Sequence, residues 1–217
     1  GVGLDTPQKI ALLQEGAYRN LRDYFTIACI NGPIARLIEQ AGFFDAMRSL
    51  TQDLSVFSNV AAAWEKEIAD NCRLFLENGF DAIAIADDIA GNGGLMFSYD
   101  FFIGHLLPCY RRFAGIARSN SLYAFFHSDG DTKGIIPPLI DATFDCLHTL
   151  DAQAGMDPYA LKGKFGEKIC FMGHIDVMAW DESKVRSEIA RAEEEFENGG
   201  LILGSSCGIS IEAGNNS

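Results

Sequence analysis

The chain has 217 residues, 48% of them apolar, and a formal net charge of −13 at pH 7 with a pI near 4.6. That apolar content is enough for one sizeable core, so a single domain over 1–217 is expected. The acidic balance argues against nucleic-acid and anionic-membrane surfaces, no apolar run approaches the roughly 20 residues of a membrane span, and the start lacks a charged segment followed by an apolar signal core. The expectation is a cytoplasmic protein that handles small molecules.

In chain order, the first apolar run is "FTIACI" (25–30), followed by a helical pattern in which Val60, Trp64, Ile68, Cys72 and Phe75 recur at intervals of three and four. "DAIAIA" (81–86) is followed by Asp87 and Asp88, then by a helix at "SYDFF…PCYRR" that carries Tyr99, His105 and Tyr110. "SLYAFF" (121–126) leads into "HSDGD" (127–131), and a helix is expected near "TKGIIPP". "DCLHTL" (145–150) contains His148 and is followed by Asp151 and Gln153. "KICFMG" (168–173) precedes His174 and Asp176. The last helix follows Asp181 or Ser183 as cap, aligns Val185, Ile189, Ala192 and Phe196 on one face, and stops at Gly199 and Gly200. "GLILGS" (200–205) then precedes Cys207. The six cysteines form no C-x-x-C pair and read as reduced thiols, most of them small core residues.

Short apolar runs alternating with amphipathic helices predict an α/β fold with a parallel sheet and right-handed crossovers. No glycine-rich phosphate loop follows a strand, which disfavours a nucleotide-binding open sheet. Polar site-type residues follow five consecutive runs: Asp87 and Asp88, then His127 and Asp129, Asp151 and Gln153, His174 and Asp176, and Cys207. Clustering at strand ends is what a (β/α)8 barrel requires, although that barrel has eight strands and six runs are legible here.

The motifs "DDIAGNGGLMFSYDFFIGHLLPCYRRF", "HSDGD", "LDAQAGMDPYALKGKFGEKICFMGHIDV" and "LILGSSCGIS" resemble the uroporphyrinogen decarboxylase (URO-D) superfamily, closest to its corrinoid and coenzyme M methyltransferase-like branch. The similarity runs from about Leu12 to Ile209. It implies a (β/α)8 barrel, with this chain matching the C-terminal six strands. In the methyltransferase branch a zinc ion is held by a His-x-Cys pair and a late Cys, and activates a thiol toward a methyl group on a corrinoid. Carried across, the ligands fall on His127, Asp129 and Cys207, so a carboxylate replaces the middle thiolate. Zinc accepts such a His/Asp/Cys set, as a harder site. The resemblance also implies two alternatives: porphyrinogen decarboxylation, whose aspartate and arginines belong to the absent N-terminal part, and an incomplete barrel serving as a binding or assembly module or as a piece of a longer enzyme.

Each residue also has a plainer reading. His127 is either a ligand or a hydrogen-bonding residue at a strand end. Asp129 is either a ligand or a turn cap, and Asp131 fits the cap better. Asp88 and His174 are the candidate catalytic groups, with Asp88 able instead to orient His127 and His174 able instead to pack. Tyr99, Asp87 and Gln153 are candidate contacts to a cofactor or substrate. Asp176 fits a loop-fixing role, and His105 and His148 fit structural ones. The expected partners are a small-molecule substrate, a corrinoid protein, and a second copy covering the open strand at "FTIACI" or "LILGS".

Overall fold

The computed structural model describes residues 23–206, so Cys207 lies outside the described residues. These residues divide into two compact units: those up to Ala86 with Pro108–Ala124, and Asp87–Leu107 with those from Phe125 onward.

In the first unit, strand β1 (Ile27–Asn31) is followed by helices α1 (Pro33–Ala41), α2 (Phe43–Gln52) and α3 (Leu54–Glu77), strand β2 (Ala82–Ala86) and most of helix α4 (Leu107–Ser119). β1 and β2 pair in parallel from Ile27↔Ala82 to Asn31↔Ala86. α3 is capped by the Asp53 side chain, which accepts from the Ser55 amide, and it buries Val60, Trp64, Ile68, Cys72 and Phe75 as their spacing predicts. Trp64 donates from Nε1 to the Asn31 carbonyl at 2.8 Å, which ties the helix to the end of β1. α1 and α2 were not foreseen. Pro33 opens α1, and Gly42 joins the two helices in a single residue at φ +77, a conformation natural to glycine.

The second unit holds the carboxyl half of β3 (Tyr123–His127), with helix α5 (Ile136–Asp141), β4 (Cys146–His148), helix α6 (Pro158–Phe165), β5 (Cys170–Ile175), helix α7 (Glu182–Glu195) and β6 (Leu201–Ser205). These four strands pair in parallel, in sequence order, through His127↔His148, His148↔Met172 and Ile175↔Ser205. A two-residue hairpin, Ala90–Gly91 against Gly94–Leu95, fills the segment after Asp88. All described strands of the main sheet lie within one or two residues of the apolar runs, except that 145–150 shortens to Cys146–His148. His148 therefore sits at a strand end, not inside a strand.

Asp181 caps α7 by accepting from the Lys184 amide at 2.8 Å, and the helix ends at Glu195, ahead of the left-handed Gly199 and Gly200. Its buried face is the expected one at Ala192 and Phe196 but not at Ile189, which is 38% exposed while Glu188 is 6% exposed. Three hydrogen-bonding partners, described below, draw Glu188 inward. Among the described cysteines, Cys72, Cys109 and Cys146 are buried free thiols. No described helix is long and apolar enough to cross a membrane.

Candidate metal centre

The site begins where β3 stops. Backbone bonds fix the turn to its neighbours: the Asp87 amide donates to the His127 carbonyl at 2.9 Å, and the Ser128 amide to the His148 carbonyl at 2.9 Å. The buried Ser128 hydroxyl accepts from the Ile89 amide and donates to the Asp129 carbonyl. Gly130 sits at φ +83, and a Cβ there would lie 2.7 Å from the backbone of Ala90 and Gly91. Only glycine lets the turn close against that hairpin, where the Asp131 amide donates to the Gly91 carbonyl at 2.9 Å. Asp131 braces the turn: its Oδ1 accepts from the Lys133 amide at 3.0 Å, and its Oδ2 lies 3.1 Å from Lys133 Nζ.

Asp129 is free of that duty. Donor atoms of Asp88, His127 and Asp129 all lie within 4.8 Å of one another. His127 Nε2 faces Asp88 Oδ1 at 3.5 Å, and the same oxygen accepts from the Asp129 amide at 3.1 Å. Burial and the charges of Asp88 and Asp151 raise the proton affinity of the Asp129 carboxyl, against a smaller opposing pull from His127. Two carboxylates beside one imidazole suit a divalent cation with N and O ligands.

The other face of His127 meets a residue first read as structural. His127 Nδ1 and His148 Nδ1 are 2.8 Å apart, and the rings stand 4.8 Å between centroids. Burial, then the neighbouring His127, lowers the proton affinity of His148 to about 4, against an opposing hydrogen bond to the Ser205 carbonyl. The available signal for this pair was register: His127 and His148 both end adjacent parallel strands.

The remaining candidates occupy other places. Asp87 is fully buried, whereas the Asp88 side chain is 60% exposed, so the two diverge as adjacent strand-end residues do. Tyr99 is exposed at the start of a helical turn, its ring 6.0 Å from Phe102. Gln153 donates from Nε2 to Asp176 Oδ2 at 2.9 Å, while Asp176 Oδ1 accepts from the Met178 and Ala179 amides and fixes that loop. His174 belongs to a separate cluster. Positive φ values at Gly173 (+113) and His174 (+85) break the strand's alternation. The His174 ring packs edge-on to Tyr159 and Trp180, and its Nε2 lies 3.1 Å from Glu188 Oε2. Tyr159 and Lys184 also donate to Glu188, around a cavity of about 200 Å³. Burial pushes the Glu188 carboxyl up, but the bonds from Lys184, His174 and Tyr159 outweigh it and hold the carboxyl down at about 2.

Comparison with known proteins bears on the fold and the family. No curated protein is significantly similar in sequence. A methyltransferase from Methanosarcina mazei shares the fold at a TM-score of 0.71 and 20% identity, over 93% of this chain and 57% of its own. This chain thus spans a little over half the length of that structure. A sugar phosphate isomerase/epimerase from Parabacteroides distasonis aligns at a TM-score of 0.47 and 11% identity, over 93% of this chain and 84% of its own. The fold is the expected α/β type of the (β/α)8 barrel, with six strands in the main sheet among the described residues. The sequence pattern of the uroporphyrinogen decarboxylase family matches residues 24–215, and the chain belongs to that family.

Proposed function

We propose that this chain is part of a methyltransferase-type enzyme of the uroporphyrinogen decarboxylase family, with a zinc site formed by Asp88, His127 and Asp129. The observation that carries the reading is the convergence of those three donor groups within 4.8 Å of one another. Cys207, one residue beyond the buried Ser206, is the further candidate ligand. Bound there, zinc would supply Lewis acidity, lowering the pKa of a substrate thiol. The protein's own part is to hold the Asp129 carboxylate and the His127 imidazole on a turn pinned by Ser128 and Gly130, beside the Asp88 carboxylate. Asp88 thereby joins the ligand set in addition to orienting His127, and a substrate of small size, with the methyl group carried on a corrinoid protein, completes the reading. A porphyrinogen polycarboxylate is poorly matched to a turn region carrying Asp88, Asp129, Asp131 and Asp151.

The test is thiol-dependent demethylation of methylcobalamin by zinc-loaded protein, followed by its visible spectrum. The reading expects demethylation that disappears in His127→Ala. Zinc-loaded protein that shows none across a panel of small thiols would overturn it.

A second copy is also part of the proposal. Ile202 and Leu203, neighbours on β6 whose side chains alternate, are 38% and 36% exposed, so neither face of the strand is fully covered by the described residues. Sedimentation should show a dimer or larger assembly, and a monomer at tens of micromolar would exclude it.

A further inference from the structure

We propose that the cavity between α6 and α7, beside the end of β5, is a second small-molecule site, which takes a short hydroxylated organic acid in its carboxylate form. Its walls belong to one compact unit and include no residue of the metal centre. α7 brings Lys184, Glu188 and Arg191 to the cavity at positions i, i+4 and i+7, which share one face of a helix. A helix that serves packing alone turns an apolar stripe to its neighbour, whereas here Glu188 is buried and Ile189 is left exposed. Tyr159 enters from α6, Trp180 from the loop after β5, and His174 from β5 itself.

Two groups define the ligand. The first is His174, which is 6% exposed. Glu188 is ionised in the fold and a carboxylate only accepts, so the His174 Nε2 that lies 3.1 Å from its Oε2 carries a proton. The other ring nitrogen, Nδ1, is buried and has no hydrogen-bond partner among the described residues. Such an orphaned atom is costly unless something answers it. A hydroxyl group does so whether the ring is neutral or charged, because it both donates and accepts. The second group is Arg191, whose guanidinium carbon lies 3.6 Å from the centre of the Tyr159 ring, with no carboxylate of the described residues in ion-pair contact. Stacked on that ring, the guanidinium keeps its forked N–H edge for a planar carboxylate. Lys184 adds charge: its Nζ lies 2.5 Å from Glu188 Oε1 and has further donors to offer. Glu188, saturated by Tyr159, His174 and Lys184, holds these walls in place. A cavity of about 200 Å³ is smaller than the roughly 300 Å³ at which sites for drug-sized molecules begin, so the acid has only a few carbons.

The site stands independently of the metal reading, and its test uses metal-free protein. Glycerate is titrated while NMR follows the Trp180 indole N–H and the His174 ring nitrogens, with propionate (no hydroxyl) and glycerol (no carboxylate) as comparisons. Glycerate should shift both sets of signals and bind about tenfold or more tightly than either comparison. Arg191→Gln, at an exposed position, should weaken glycerate binding about tenfold in a protein that stays folded. His127→Ala should bind glycerate as the wild type does. Signals that do not move at tens of millimolar glycerate overturn the proposal, in favour of a bound water at His174 Nδ1. It is equally overturned by shifts that centre on the His127 ring and vanish in His127→Ala, by a folded Arg191→Gln variant with undiminished affinity, or by propionate binding as tightly as glycerate.

Discussion

His127 and His148 end adjacent parallel strands with their Nδ1 atoms 2.8 Å apart, while His127 Nε2 lies 3.5 Å from Asp88 Oδ1. The consequences can be measured residue by residue.

Asp129 and Asp131 differ by two positions but have separate work. Asp129→Asn should weaken zinc binding by at least about tenfold, the loss typical even of outer partners of a metal site. Asp131→Ala should leave zinc binding nearly intact and instead cost about 1 kcal/mol, the usual value of a hydrogen bond such as that lost at the Lys133 amide. Calorimetric zinc titration paired with urea unfolding separates the two. An equal zinc deficit in both variants would contradict the assignment.

Exchanging the carboxylate for a thiolate tests the hardness of the site. Asp129→Cys should bind zinc more tightly than the wild type, and with cobalt should show a near-ultraviolet sulfur-to-metal band stronger than the wild type's, where Cys207 is the one candidate thiolate. A cobalt spectrum identical to wild type would mean that residue 129 does not touch the ion.

Gly130→Ala places a methyl group 2.7 Å from the backbone of Ala90 and Gly91 while forcing a left-handed residue. The combined cost is roughly 2–4 kcal/mol, with about 1–2 from the conformation and the rest from crowding. Because the same turn positions Asp129, zinc affinity should fall with stability. Urea midpoints matching wild type would show that the turn relaxes freely.

Glu188 gives a pH signature distinct from the metal site. Its carboxyl ionises near 2 in the fold against an ordinary 4.5, so its stabilising contribution is complete above about pH 5 and is lost as pH falls toward 2. Glu188→Gln should destabilise the protein at neutral pH by about 3 kcal/mol, the scale for breaking a buried pair, and the difference from wild type should shrink through that acid window. A difference that stays constant from pH 7 to pH 3 would exclude this origin.

Most of the strand framework was legible because buried parallel strands advertise themselves as apolar runs bounded by turns, and α3 because five apolar residues repeat at helical spacing. The turn at His127 was legible for the same reason: it follows a strand. His148 was not, since it lies inside the apolar-looking run "DCLHTL", and only pairing with β3 reveals that both strands end at a histidine. His174 was placed at a barrel mouth because it follows an apolar run, but it lies inside β5, where Gly173 and His174 break the alternation with positive φ. The burial of Glu188 was hidden because a carboxylate on an amphipathic helix reads as solvent-facing until its three donors are known. Asp88 was separated from Asp87 only as an alternating neighbour, and its approach to His127 is a contact between residues distant in sequence.

The most direct test is anomalous diffraction at the zinc edge from crystals of zinc-loaded protein. The account predicts a peak bounded by the Asp88 and Asp129 carboxylates and His127 Nε2, and its loss in His127→Ala. A zinc peak that persists in that variant, or one that lies away from these three residues, would contradict it.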